Sequence, residues 1–257
     1  MAVRTKTGKK NTGQQGGYFV RFSLSQRIQH IVLIITFVAL ALTGLAQKYY
    51  TAGWANWLIL GLGGIEVTRL IHRIFAIVFM GALVYHFVEV FWGLLVKHNR
   101  PSMFITRQDF KDAIQEMRYS FGLTDRPPEY GRYDYKQKFE YWGIIMGSFI
   151  IIISGLVLMF PVFVTQIFPG EFVPAAKEFH GNEATLAVIV IVIWHLYDVI
   201  LRPGIFPADT TIFTGRMSIA RMKEEHALEY SEVMSGADKA PEKEPVIPES
   251  NTAAEQA

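Results

Sequence analysis

Four long apolar segments alternate with polar stretches along this chain. They cover approximately residues 28–45, 70–96, 141–163 and 184–201. Each is close to the roughly 20 residues that an α-helix needs to cross the hydrocarbon core of a bilayer. The pattern predicts an all-α integral membrane protein, a bundle of four transmembrane helices. The first segment begins far from Met1 and runs into the aromatic stretch KYYTAGWANW, so we expect a retained span and no cleaved signal peptide.

The basic residues predict the orientation of this bundle. The arm 1–27 contains Lys and Arg but no acidic residue, the loop between the second and third segments is long and charged, and the segment 202–234 opens with basic residues. Basic loops stay on the cytoplasmic side, so both termini are predicted to be cytoplasmic. We expect the tail 235–257, rich in Pro, Ala and Glu and without aromatics, to be disordered. The basic residues used here are Arg4, Lys6, Lys9, Lys10, Arg21, Arg27, Arg202, Arg216, Arg221 and Lys223.

Composition narrows the possible chemistry. Hydrophobic residues make up 51% of the chain and charged residues 19%, and the formal net charge is +2. So small a charge does not indicate a nucleic-acid partner. The chain has no cysteine, which excludes disulfides, thiolate-bound zinc, cysteine-ligated iron–sulfur clusters and covalently attached c-type haem within it.

Histidines in the apolar segments carry the strongest chemical signal. His72 and His86 are 14 residues apart, and His180 and His195 are 15 apart. On a helix these spacings return to within about 40° and about 60° of the same face, with a rise of about 21 to 23 Å. Ionisable groups at bilayer depth indicate function, and repeated histidine pairs predict axial ligation of two b-type haems.

The predicted topology assigns a depth to each histidine. His72 and His180 are expected near the outer surface, where they form one obvious pair of ligands. His195 is expected in the cytoplasmic half, where His30 and His86 both compete to be its partner. Spacing alone does not choose between these two.

Two other classes of protein remain open at this point. A proton-coupled transporter without haem could use histidines together with Glu89 and Asp198 as a relay. However, the broken helices and internal repeats that are common in transporters are not evident in the sequence. The second class is a stand-alone cytochrome b561-like electron carrier that has no tightly bound partner.

Three stretches carry a resemblance to a known family. They are RFSLSQRIQHIVLIITFVALALTGL in the first segment, TRLIHRIFAIV at the start of the second, and FHGNEATLAVIVIVIWHLYDVI in the fourth. Together they resemble the cytochrome b (gamma) subunit of membrane-bound formate dehydrogenases and the related b-type cytochromes of nickel–iron hydrogenases. The resemblance implies two haem b groups, ligated by His72 with His180 on the outside and by His30 with His195 on the inside. It also implies a quinone, menaquinone or ubiquinone, as the diffusible substrate.

His86 departs from the formate dehydrogenase pattern. It makes the arrangement of histidines similar to the ligand logic of cytochrome b of the quinol-oxidising bc complexes. If His86 ligated the inner haem, His30 would be released to contact a quinone or a propionate, and the reverse also holds. We favour His30 as the ligand because the resemblance is strongest around it.

Several charged and small residues are secondary candidates. Arg27, Arg69 and Arg73 lie beside the histidines and could pair with haem propionates. Asp198 and Glu89 follow His195 and His86 by one turn and could deliver protons to a quinone. Glycines within the segments could let helices or a macrocycle approach closely; these are Gly44, Gly81, Gly143, Gly147 and Gly155.

These expectations define a function for the chain. We expect a dihaem subunit of a respiratory complex in the cytoplasmic (inner) membrane of a bacterium or archaeon, surrounded by lipid. Electrons would pass between the quinone pool and an extracytoplasmic iron–sulfur or multihaem cytochrome subunit. The motifs do not encode the direction of flow, and no residues for chemistry on a primary substrate are visible.

Overall fold

Four long helices form the framework of the protein. The computed structural model describes residues 17–235 and the backbone of residues 247–248. Each of the four is long and apolar enough to cross a membrane, which confirms the predicted number of spans within this described part. They are α1 (Leu24–Lys48), α3 (Ile65–Leu95), α5 (Tyr135–Met159) and α7 (Phe172–Leu201), and the last continues from an α-helix into π-helical turns after Val190.

Helices α1 and α5 start before their apolar segments do, because their first turns are polar and capped. The Ser23 side chain accepts a hydrogen bond from the Gln26 amide, and Asp134 accepts one from Gln137, each in a capping box. Such turns belong to the helix but do not register as hydrophobic. At the other end, α5 stops four residues before the predicted limit because Pro161 starts a separate short helix.

Shorter elements join and cap the four long helices. Two of them lie in loops: α2 between α1 and α3, and α4 between α3 and α5. The segments flanking the bundle form a three-stranded antiparallel sheet of order β2-β1-β3, in which Tyr18 pairs with both Ser218 and Ile247. These elements are α2 (Gly53–Gly61), α4 (Arg107–Ser120), α6 (Pro161–Thr165), α8 (Thr211–Thr214), α9 (Ile219–Glu225), α10 (Ala227–Ser235), β1 (Gly17–Val20), β2 (Arg216–Ser218) and β3 (Ile247–Pro248).

The sheet brings the two flanking segments to one end of the bundle. We call this the inner end and the opposite one the outer end. The arm before Gly17 and most of the tail after Ser235 lie outside the described residues, so the predictions made for these two segments stay predictions. Within that tail, Ile247 and Pro248 form β3, which pairs with Tyr18 and Gly17 of β1.

A buried ion-pair cluster holds the inner end together. Arg21, only 2% exposed, donates to the Glu229 carboxylate and to the Arg132 carbonyl oxygen. Arg132 in turn donates to Glu229 at 3.1 Å. His226 lies beside Arg21, with its Nδ1 2.7 Å from the Gly131 carbonyl oxygen. The segment before α1, the loop before α5 and the segment after α7 thus meet in one unit, which we call the inner cap.

The bundle is built from two helix pairs, α1 with α3 and α5 with α7, with α1 also packed against α7. Outward-facing apolar side chains are exposed, as expected where lipid is the solvent; Ile77 is 59% and Ile193 is 68% exposed. The buried positions between the helices hold small hydroxyl side chains such as Thr36 and Ser148, each bonded to a carbonyl of its own helix. Small residues at such contacts let helices approach closely.

Candidate functional site

Two pairs of histidines face each other across the bundle, one pair near each end. At the outer end His72 of α3 faces His180 of α7, with ring centroids 6.2 Å apart and ring planes at 75°. At the inner end His30 of α1 faces His195 of α7, again with centroids 6.2 Å apart, and with planes at 43°. The structure therefore brings together four of the five predicted histidines in two separate pairs.

The spacing of the rings fits a shared metal ion. An imidazole nitrogen bound to a transition metal lies about 2.0–2.1 Å from it, so two rings on opposite sides of one metal have centroids about 6 Å apart. Within the described residues no group of three or more His, Cys, Asp or Glu side chains could hold a metal ion. A metal held by two histidines needs its other ligands from elsewhere, and the four nitrogens of a porphyrin supply them.

Hydroxyl groups orient the two outer histidines. The Thr43 Oγ1 donates to the Ala39 carbonyl at 2.6 Å and lies 2.9 Å from the Nδ1 of His72, so it accepts the hydrogen of that nitrogen. The Nδ1 of His180 lies 3.0 Å from the Ile151 carbonyl oxygen, which can only accept. In both rings the proton is therefore assigned to Nδ1, and Nε2 keeps its lone pair for a metal.

Glycines make room for the same two rings. A Cβ atom on Gly44 would lie 3.1 Å from the Cε1 of His72, and a Cβ on Gly155 would lie 3.1 Å from the Cε1 of His180. Both distances are tighter than an ordinary van der Waals contact. These two glycines, which the sequence marked as positions of close approach, approach histidine rings and not another backbone.

The outer site reveals an internal repeat that sequence reasoning missed. Thr43-Gly44 on α1 contacts His72 on α3, and Ser154-Gly155 on α5 contacts His180 on α7 in the same way, with the Ser154 Oγ 3.1 Å from the Nδ1 of His180. The pair α1–α3 therefore corresponds to the pair α5–α7. Little more than a hydroxyl-glycine dipeptide and a histidine recurs, which is why the sequence did not reveal it.

The repeat continues to the inner end of the bundle. His30 precedes Thr43 by 13 residues, and Tyr141 precedes Ser154 by the same number. His86 follows His72 by 14 residues and His195 follows His180 by 15, and the extra residue falls where α7 adopts π-helical turns. A π-turn absorbs one additional residue. The counterpart of the pair His30–His195 is therefore Tyr141–His86.

His86 has protein partners on both ring nitrogens. Its Nδ1 lies 2.9 Å from the Gln29 Oε1 and its Nε2 lies 2.9 Å from the Tyr141 hydroxyl. The Gln29 amide also donates to the Glu89 carboxylate, which accepts a second hydrogen bond from Ser25 at 2.9 Å. Glu89, predicted as a proton donor, thus belongs to a polar network that runs through Gln29, the neighbour of His30.

A carboxylate lies against the inner pair. The Glu140 Oε1 is 2.8 Å from the Nδ1 of His195, in an ion-pair contact that is out of line with the ring N–H direction. The Nδ1 of His30 is buried and has no hydrogen-bond partner among the described residues. Sequence reasoning missed Glu140, because it stands in the polar first turns of α5 that were assigned to a loop.

The three candidate arginines, Arg27, Arg69 and Arg73, differ in what they contact. The Arg27 Nε donates to the Phe213 carbonyl of the inner cap at 2.7 Å. Arg69 forms an exposed ion pair with Glu66 at 2.8 Å, and Arg73 beside His72 is exposed, without a hydrogen bond to any other described residue.

Asp198 lies one turn beyond His195, at the inner end of α7 that the inner cap covers. It is close enough to Asp134, the N-cap residue of α5, to act on it electrostatically. Burial raises the pKa of Asp134, and the charge of Asp198 raises it further. Two partly buried carboxylates therefore lie near the inner end of the bundle.

Comparison with known proteins agrees with this geometry. Residues 21–211 match the model of the family described as prokaryotic cytochrome b561. The chain is 25% identical over 223 residues to the formate dehydrogenase cytochrome b556(fdo) subunit of Escherichia coli K12, covering 87% of this chain and 97% of the relative. It is also 25% identical over 214 residues to the nitrate-inducible formate dehydrogenase cytochrome b556(Fdn) subunits of E. coli K12 and Shigella flexneri, covering 83% of this chain and 91% of each relative. The chain therefore belongs to the prokaryotic cytochrome b561 family, and it is a multi-pass bacterial membrane cytochrome b that carries electrons through haem b.

Proposed function

We propose that this protein is the dihaem membrane subunit of a quinone-linked respiratory oxidoreductase. The observation that carries the proposal is the presence of two histidine pairs, each with ring centroids 6.2 Å apart, at opposite ends of one bundle. Fourteen residues of helix separate the two levels by about 21 Å, which covers most of a hydrocarbon core about 30 Å thick. One electron at a time would cross the membrane between the two sites.

The ligands of the outer haem are His72 and His180, and those of the inner haem are His30 and His195. When bound, each haem supplies a reversible one-electron couple at its iron. The residues of the chain hold the imidazoles, and at the outer site their hydrogen bonds leave the Nε2 atoms unprotonated. His86 is not opposed to another histidine, and its hydrogen bonds to Gln29 and Tyr141 support a role in the inner polar network and not in ligation.

The inner end faces the cytoplasm in this proposal, and the protein lies in the cytoplasmic membrane. Five described arginines at the inner end of the bundle support the orientation through the bias of basic residues toward the cytoplasm. They are Arg21, Arg27, Arg202, Arg216 and Arg221.

The quinone binds near the inner haem and exchanges two electrons and two protons there. Asp198, with Asp134 below it, supports one proton path from the cytoplasm, and Glu89 supports another through Gln29 beside His30. Arg27 lies near His30 and is a candidate partner of a propionate of the inner haem. Arg69 and Arg73 flank His72 and are candidate partners of the propionates of the outer haem. The arrangement serves electron flow in either direction.

The partner is an extracytoplasmic subunit, iron–sulfur or multihaem, that exchanges electrons with the outer haem. Support comes from the relatives, which are named as subunits of formate dehydrogenases. The partner subunits, and not this chain, act on the primary substrate. Copurification of the chain with redox subunits from native membranes tests this part of the proposal, and isolation of the chain alone under gentle conditions would contradict it.

Haem content of purified variants tests the ligand assignment. We expect two b-type haems per chain in oxidised and dithionite-reduced spectra, and one after His72→Ala, His180→Ala, His30→Ala or His195→Ala. His98→Ala is the matched control, because His98 is exposed in a loop and lies outside both pairs. Adding a quinone analogue to the reduced protein should reoxidise it only when the inner pair is intact. A wild-type spectrum without a b-type haem would overturn the proposal.

A further inference from the structure

Glu140 gives the inner pair of histidines a charged partner that the outer pair lacks. Its side chain is 15% exposed, and its Oε1 lies 2.8 Å from the Nδ1 of His195. At the outer end the Nδ1 atoms of His72 and His180 meet the neutral hydroxyls of Thr43 and Ser154. The nearest partner of a paired histidine is thus a carboxylate at only one of the two described sites.

Nearby cations do not neutralise this carboxylate. Lys138 on the same helix pairs with Asp109 at 2.7 Å, and Lys136 pairs with Glu116 at 2.7 Å. Within the described residues Glu140 forms no ion pair with a lysine or an arginine, so its negative charge acts on His195.

The internal repeat offers an independent comparison. Glu140 precedes Ser154 by 14 residues, and Gln29 precedes Thr43 by 14. Each places a side-chain oxygen on the Nδ1 of a histidine, Glu140 on His195 at 2.8 Å and Gln29 on His86 at 2.9 Å. His195, which faces a second histidine, has the charged Glu140 as its partner. His86, which faces Tyr141, has the neutral amide of Gln29, a side chain of similar shape.

We propose that Glu140 is a positioning residue that lowers the redox potential of the inner haem through His195. This inference rests on the proposed function, because it requires a haem between His30 and His195. A ferric centre carries one more positive charge than a ferrous one, and a carboxylate in a medium of low dielectric stabilises the more positive state. One electron enters or leaves, no bond is formed or broken, and no proton is moved in this step. Lowering the potential makes the reduced inner site a stronger electron donor to a quinone.

The test is a spectroelectrochemical titration of the full-length purified protein, with the two haems resolved. Glu140→Gln should shift the reduction equilibrium of the inner haem at least tenfold toward the ferrous state, which is about 59 mV for a one-electron couple. The outer haem should stay unchanged. Glu140→Asp keeps the charge and should restore most of the wild-type value, which a merely steric role would not do. Glu224→Gln removes an exposed carboxylate of the inner cap and serves as the control.

The possible outcomes distinguish failure of the role proposed for Glu140 from failure of the proposed dihaem function. Two bound haems with an unshifted inner potential in Glu140→Gln would overturn the inference and leave the proposed function standing. A wild-type protein without an inner haem would overturn the proposed function itself. Should Glu140→Gln fail to retain the inner haem, Glu140→Met provides the same readout, and loss of that haem from both variants would overturn the assigned role, because Glu140 would then be required to form the site.

Discussion

The Oγ1 of Thr43 and the Nδ1 of His72 lie 2.9 Å apart, and the histidine is the donor of the hydrogen bond between them. The hydroxyl hydrogen of Thr43 is already directed to the Ala39 carbonyl at 2.6 Å, so only its lone pairs remain for the imidazole. The contact therefore determines the tautomer of His72. Ser154 repeats the relationship with His180, after directing its own hydrogen to the Ile150 carbonyl at 2.6 Å.

Loss of these hydroxyls should weaken haem binding at the outer site. We expect Thr43→Val to lower the affinity for the outer haem about 10- to 100-fold, the usual effect of removing a group that orients a metal-ligating histidine. Retention of haem against an excess of a competing haem-binding protein measures this. Thr36→Val is the matched control, since Thr36 is equally buried on α1 and its hydroxyl bonds only to carbonyls of its own helix. Equal losses in the two variants would show that the effect is one of packing.

Adding a methyl group at the two glycines should disturb the same site. Gly44→Ala and Gly155→Ala place a Cβ 3.1 Å from the Cε1 of a ring that a metal would hold in position. Overpacking of this kind costs about 1–3 kcal/mol, so we expect reduced occupancy of the outer haem. Gly81→Ala and Gly143→Ala are controls on α3 and α5, because no atom lies within 4 Å of the Cβ they would add. Haem-to-protein ratios across the four variants provide the measurement, and full occupancy in the first two would refute the steric argument.

Separate replacement of the two competing inner histidines should give opposite results. His30→Ala leaves His195 without the ring that faces it, so we expect one haem per chain in place of two. His86→Ala removes hydrogen bonds to Gln29 and Tyr141 and should leave both haems bound. Quantitative haem extraction counts them. One haem in His86→Ala and two in His30→Ala would reverse the proposed ligand set.

The inner cap should lose stability as the pH falls below neutrality. Burial, and then the charge of Arg21, lower the pKa of His226 to about 4 from its ordinary value of 6.5. A group with a depressed pKa of this kind is neutral in the folded state, and the unfolded chain binds the proton more readily. Its contribution is thus complete above pH 6.5 and is lost as the pH falls toward 4, by about 2 kcal/mol between pH 7 and pH 5.

Limited proteolysis of the cap at pH 7 and pH 5 measures this loss in detergent. His226→Gln should remove the part of the pH dependence that belongs to this residue, although it weakens the contact with the Gly131 carbonyl at every pH. His98→Gln, in an exposed loop, should keep the wild-type dependence. An unchanged pH profile in the His226 variant would count against the buried neutral histidine.

The hydropathy pattern was sufficient to predict four spans, since burial in lipid depends on the apolar character of each segment taken by itself. The starts of α1 and α5 were missed, because capped polar turns continue a helix without raising its hydropathy. Glu140 was missed for the same reason. Its importance depends on a contact with a residue more than 50 positions away, which no local pattern contains.

The sequence by itself determined that this is a four-span membrane protein with its histidines at two depths, because apolar length and helical rise are properties of single segments. Only the tertiary structure decided which rings face each other. Spacing left His30 and His86 as equal partners for His195. In the folded bundle the ring centroids of His30 and His195 lie 6.2 Å apart, next to the π-helical turns of α7, and His86 is hydrogen-bonded to Tyr141. The physical reason is that the facing of two side chains depends on how helices rotate and pack against one another, which is a property of the assembled bundle.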